Sequence, residues 1–167
     1  MKRFISIALV TFLLLSLFSC SDTREFTHAE YTISLPKEYY TTTASGLAGD
    51  FEYDLVMTNG EAYIGVSRLS FVVASQTGID ITMTPGDFAE YCMAITGVDS
   101  SISKHGDVYY YIYYQTQNSI KYMLLLAFHR SPDAYFTTVF TVKADAERRY
   151  ISQFIDFADS VKFKLYY

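Results

Sequence analysis

The apolar and polar positions along this chain change period several times, and each change marks an element. Residues 4–18, FISIALVTFLLLSLF, form an unbroken uncharged run preceded by Lys2 and Arg3. That run is shorter than the roughly 20 apolar residues of a membrane-spanning helix, and its positive start and apolar core fit a secretory leader. Further on the period becomes two. A first strand is expected from Tyr31 to Leu35, closed by Pro36, followed by a loop punctuated by Gly46 and Gly49. In FEYDLVM, Phe51, Tyr53, Leu55 and Met57 alternate with Glu52 and Asp54. Asn59-Gly60 then predicts a two-residue hairpin turn, with a return strand from Glu61 to about Ala74.

Residues 83–97, MTPGDFAEYCMAITG, switch to helical spacing. Thr84 is placed as the N-cap, Pro85 at the first helical position and Asp87 as the acidic partner of a capping box. Met83 and Phe88 form a hydrophobic staple, Phe88, Tyr91, Cys92 and Ile95 form the buried stripe, and Gly97 ends the helix. Strand periodicity returns in SSISK and in the run DVYYYIYYQTQ (107–117), with turns expected at Gln117-Asn118 and at Ser131-Pro132-Asp133. Between those turns both faces of Ile120–His129 are apolar, which predicts a central strand covered on both sides. AYFTTVFTV follows, then a helix from about Ala144 to Ser160 with Ile151, Phe154, Ile155 and Ala158 inward, and finally an extended VKFKLYY. Strands, helix, antiparallel strands and helix in that order predict an α+β fold, an antiparallel β-sheet sandwiched by helices.

Composition sharpens the picture. The 167 residues are half apolar, which suits one packed domain, and the 16 Tyr and 13 Phe favour strands. Loss of a leader at 1–19 would remove Lys2 and Arg3 and leave 11 basic against 18 acidic residues, a formal charge of −7. Such a surface excludes nucleic acid as a partner, because binding it depends on neutralising phosphates.

Leu17-Phe18-Ser19-Cys20 resembles a bacterial lipobox, in which the cysteine is lipidated and becomes the first residue of the mature chain. The resemblance implies a leader at 1–19, lipid on Cys20, a short polar tether through residue 28 and a single domain over 29–167. Two or three acyl chains bury enough methylene groups to hold firmly, where one is marginal. The location implied is the cell membrane or outer membrane, on the extracytoplasmic side. Cys92, left without a partner, is expected to be an inert buried thiol on the helix stripe.

YTISLPKEY near the start, and YFTTVFTVKADAERRYISQFIDFADSVKF near the end, resemble the PsbP/Mog fold and especially its bacterial DcrB-like lipoproteins, over about residues 29–165. The resemblance implies an accessory or scaffold role with an envelope protein as partner. It implies no enzyme and no cofactor.

Little in the sequence points to chemistry. HRSPD (129–133) groups His, Ser and Asp but reads as a turn between strands. His105 and Asp107, with His28 as a third donor, lack the spacing that enforces a metal site. Tyr109, Tyr111 and Tyr113 share one face of their strand. That face is either core or an exposed aromatic surface for a small ligand such as a sugar, peptide or lipid. For the anchor, Cys20→Ala is expected to abolish fatty-acid labelling and leave unprocessed precursor; normal processing in that variant would refute the lipoprotein reading.

Overall fold

The computed structural model describes residues 22–43 and 52–164. Cys20, the leader, Gly46, Gly49 and Phe51 lie outside the described residues. The described chain folds into ten strands in two antiparallel sheets, with three α-helices. Strands β1 (Thr23–Thr27), β2 (Tyr31–Pro36) and β10 (Lys162–Phe163) make the small sheet, in the order β1-β2-β10. The large sheet has the order β3-β4-β5-β9-β8-β7-β6. Its members are β3 (Tyr40–Thr41), β4 (Leu55–Thr58), β5 (Tyr63–Ser70), β6 (Ser103–His105), β7 (Val108–Gln117), β8 (Ile120–Arg130) and β9 (Ala134–Lys143).

The central strands β8 and β9 are buried almost end to end, as apolar residues on both faces of β8 predict. Each face therefore has its own cover. Helix α2 (Pro85–Thr96) packs on the face that presents Tyr111, Leu124, Leu126, Phe128, Tyr135 and Val139. Helix α3 (Glu147–Asp159) and the small sheet close the opposite face over Met123, Leu125, Phe136 and Phe140. The antiparallel sheet is sandwiched as expected, with three strands sharing one of the layers.

Local chemistry sets the boundaries. The Thr84 hydroxyl accepts from the Asp87 N–H while the Asp87 carboxylate accepts from the Thr84 N–H, the capping box read in the sequence. Gly97 ends α2 in the left-handed region. The inward face of α2 runs through Phe88, Ala89, Cys92 and Met93, so Ile95, predicted inward, is 64% exposed. The β7–β8 turn is Asn118-Ser119, one residue later than expected, and both residues have positive φ, as a two-residue hairpin with native twist requires.

Three expectations change. Asn59-Gly60 does not make a two-residue turn. The connection spans Asn59 to Ala62, and the Asn59 Oδ1 accepts from the Glu61 and Ala62 N–H groups, which stabilises the longer loop. The return strand stops at Ser70, whose hydroxyl accepts from the Val73 N–H and starts a short helix, α1 (Phe71–Gln76). Residues 23–27, expected as tether, form β1 in full register with β2, because Phe26 can bury against the core from there.

Helix α3 follows a single 3₁₀ turn (Ala144–Ala146) and buries Tyr150, Phe154, Phe157 and Ala158, while Ile151 and Ile155 are half-buried. Phe154 is wholly buried and stacks on Phe140 with ring centroids 5.0 Å apart. Phe154→Ala is expected to cost about 3–5 kcal/mol through lost transfer energy and the cavity left behind, read as a fall in the urea midpoint. A loss below about 1 kcal/mol would mean that α3 does not need this anchor.

Candidate functional site

Tyr109, Tyr111 and Tyr113 stand on one face of β7, as alternation requires, and α2 lies on that face. Tyr111 is 1% exposed and packs against Phe128, ring centroids 5.4 Å apart. A Cβ on Gly86 would lie 2.9 Å from the Tyr109 ring, so the first turn of α2 rests directly on that tyrosine. Tyr109 and Tyr113 are half-buried, and Lys104 Nζ lies 5.0 Å from the centroid of Tyr109. Burial pushes the Tyr111 and Tyr113 hydroxyls upward from their ordinary range, so they stay protonated. The alternate set also turns inward, with Val108, Tyr110 and Ile112 packed in the second core. Tyr114 lies near the strand end, where its hydroxyl donates to Glu147 and Lys121 stands over its ring.

Cys92 is half-buried on α2, and burial pushes its thiol up to about 12. A thiol held in that state carries almost no thiolate and is unreactive. The three histidines lie in different settings: exposed His105 in β6, half-buried His28 in the β1–β2 turn stacked on Tyr31, and buried His129 in β8. Among the described residues, no group of three or more His, Cys, Asp or Glu side chains converges. In HRSPD, the Ser131 hydroxyl donates to Asp133 and accepts from the Ala134 N–H, so serine and aspartate tie the turn together.

Two polar clusters lie at the end of the sheet where β8 finishes and β9 begins. In the first, Arg68 pairs with Glu30 and with Asp133, the latter at 2.9 Å. Burial raises the Asp54 carboxyl while His28 and Arg68 pull it the other way. The Tyr31 hydroxyl is buried without a hydrogen-bond partner, and its pKa is raised by burial and by Asp54 and Glu30.

The second cluster lines a cavity of about 340 Å³. Elements that are distant in sequence build it. Gly106 turns the chain from β6 into β7 with φ +55°, and the Asp159 carboxylate at the end of α3 sits 2.8 Å from where a Cβ would be. Only glycine allows both that conformation and that approach, and together they set Asp107 and Asp159 at one wall. Phe163 of β10 packs on Phe136 and on His129, ring centroids 4.8 and 5.8 Å away, and with Val108 and Pro85 supplies an apolar wall. His129 is 8% exposed, and its Nε2 is buried with no hydrogen-bond partner. Desolvation pushes its pKa down to about 4, so the imidazole is neutral near pH 7. The arrangement offers two carboxylates, one neutral imidazole and an apolar wall. Sequence reasoning missed it because the groups come from β7, β8, α3 and β10. The one available signal was a histidine on the same side of β8 as Met123, Leu125 and Ala127.

No family model matches this sequence, and neither does any curated protein. Solved structures do match. The solution structure of cyanobacterial PsbP (CyanoP) from Synechocystis sp. PCC 6803 superposes with a TM-score of 0.56 at 11% identity, covering 87% of this chain and 95% of that one. A crystal structure from Bacteroides thetaiotaomicron gives a TM-score of 0.58 at 12% identity over 86% of this chain, which spans 49% of that longer protein. LpqN of Mycobacterium tuberculosis, described as involved in cell envelope biogenesis, gives 0.48 at 8% identity, over 86% of this chain and 91% of that one. The fold is thus PsbP-like. Among the described residues no helix is long and apolar enough to cross a membrane.

The buried imidazole sets a pH dependence. His129 titrates near 6.5 when unperturbed and near 4 in the fold, so between these values the unfolded chain holds the extra proton. Stability therefore falls as pH drops through that window, by an amount on the order of 3 kcal/mol between pH 7 and 4. Urea midpoints at the two pH values should fall further for the wild type than for His129→Leu. Equal declines would show that the imidazole, set among Asp107, Asp159 and Arg130, is not the cause.

Proposed function

We propose that this chain is a bacterial lipoprotein, held by lipid on Cys20 at an extracytoplasmic membrane face, and that its domain serves an envelope partner as an accessory or scaffold protein, not as an enzyme. The observation that carries this reading is the position of β1. Its first residue, Thr23, follows Cys20 by three positions and pairs with Pro36, while Lys37 and Asp22 form an ion pair at 2.6 Å at the same end. The tether is therefore about 10 Å at full extension, and this end of the domain faces the membrane.

The opposite end is set by the same strand. β1 carries the chain about 17 Å further to the β1–β2 turn, where Glu30 pairs with Arg68 beside Asp133. Helix α1 continues from that end: its first residue, Phe71, donates its N–H to the Asp133 carbonyl. Val72 and Val73 on α1 are 68% and 47% exposed. Exposed apolar side chains directed away from a lipid anchor favour a protein partner. The PsbP-like fold, shared with proteins of accessory role, agrees with this reading by analogy only.

A photo-crosslinking residue at Val72, expressed in the full chain in its own cells, is expected to give one adduct of defined mass, with none from the same residue at Gln117 near the anchored end. Adducts of equal yield from both positions, or none from Val72, would overturn the scaffold reading.

A further inference from the structure

We infer that the cavity bounded by the end of β8, the β6–β7 turn, the end of α3 and β10 is a binding site for a small organic cation, a protonated amine carried on an apolar body. The inference does not depend on acylation of Cys20 or on a protein partner.

Three sources of negative potential meet there. Asp107 and Asp159 line the wall, and neither takes part in an ion pair among the described residues. Helix α3 ends at Asp159, so its C-terminal carbonyls, the negative end of its dipole, lie at the same wall. The N-terminus of α2 also borders the cavity through Pro85, but the Asp87 carboxylate of its capping box already occupies that positive end. Arg130 also lines the cavity, but its charged end is engaged elsewhere. Successive strand residues point to opposite faces, and its guanidinium donates to the Ile81 carbonyl at 3.2 Å and lies over the Phe71 ring.

The remaining groups specify the kind of cation. With no third ligand converging among the described residues and a volume of about 340 Å³, the cavity does not fit a bare metal ion. Val108, Val161, Phe163 and Pro85 call for hydrocarbon beside the carboxylates. His129 supplies the buried polar contact. The ring lines the cavity at 8% exposure, and its Nε2 is without a hydrogen-bond partner.

The test uses one shape with three charges. Phenethylammonium, 2-phenylethanol and phenylacetate are each equilibrated by dialysis with the full chain, purified from its own cells in detergent micelles, with empty micelles as baseline. The ammonium is expected to be retained at one per chain, about tenfold or more above the alcohol, with the carboxylate excluded. Asp107→Asn combined with Asp159→Asn is expected to remove about a tenfold preference, while Asp156→Asn, on the exposed side of α3, leaves it intact. Both substituted carboxylates are exposed, and a melting curve checks that the double variant folds. Equal retention of ammonium and alcohol by the wild type, or an unchanged preference in the folded double variant, would overturn the proposal. So would retention of none of the probes at about 10 mM, which would mean that the cavity holds water only.

Discussion

The rest of the molecule depends on burial of the β8–β9 pair on both of its faces. From Met123 to His129, and from Ala134 to Val142, consecutive side chains are buried whichever way they point. A sheet with two apolar faces needs a cover on each, and the chain supplies two different ones. Helix α2 is the main cover of one face, with Phe71 of α1 and Ile79 beside it. The other needs more area than α3 provides, and the small sheet joins it there through Tyr31, Ile33 and Leu35. The tyrosine run of β7 follows from the same requirement. Tyrosine suits a position where a ring must be buried while its hydroxyl reaches toward an edge, and β7 lies one strand from the rim of the large sheet.

Covering a sheet from two sides leaves its ends as the places where layers separate. The end where β1 starts is closed by bonds between the layers: Asn59 donates to the Tyr150 hydroxyl, which donates to Glu61, while Arg149 pairs with the same carboxylate. The other end is closed less fully. Buried His28 Nδ1, Tyr31 Oη and His129 Nε2 have no hydrogen-bond partner there, and the cavity opens beside the last of them. Polar groups left unpaired in an otherwise well-packed protein are uncommon; Tyr39 Oη, Thr138 Oγ1 and Thr141 Oγ1 are others among the described residues, but at this end a cavity opens beside one of them.

Sequence alone carried the local structure where one stretch contains both signal and cause. The capping box of α2 needs only Thr84 and Asp87, and the burial of β8 needs only its own unbroken apolar content. Tertiary structure decided whatever depended on a neighbour from elsewhere in the chain. Phe26 turned an expected tether into β1 by burying in a core built mainly from later residues. Ile95 has helical spacing from Phe88, but the docking of α2 turned Ala89 and Met93 inward instead. Tyr109, Tyr111 and Tyr113 shared a face by alternation, and only the docking of α2 determined that the face was core. The cavity was the least legible feature, because Asp107, His129, Asp159 and Phe163 meet through the close approach of Gly106 to α3. Periodicity records which way a side chain points along its own element. It holds no information about what a distant segment brings to meet it, and for this chain that meeting made the site.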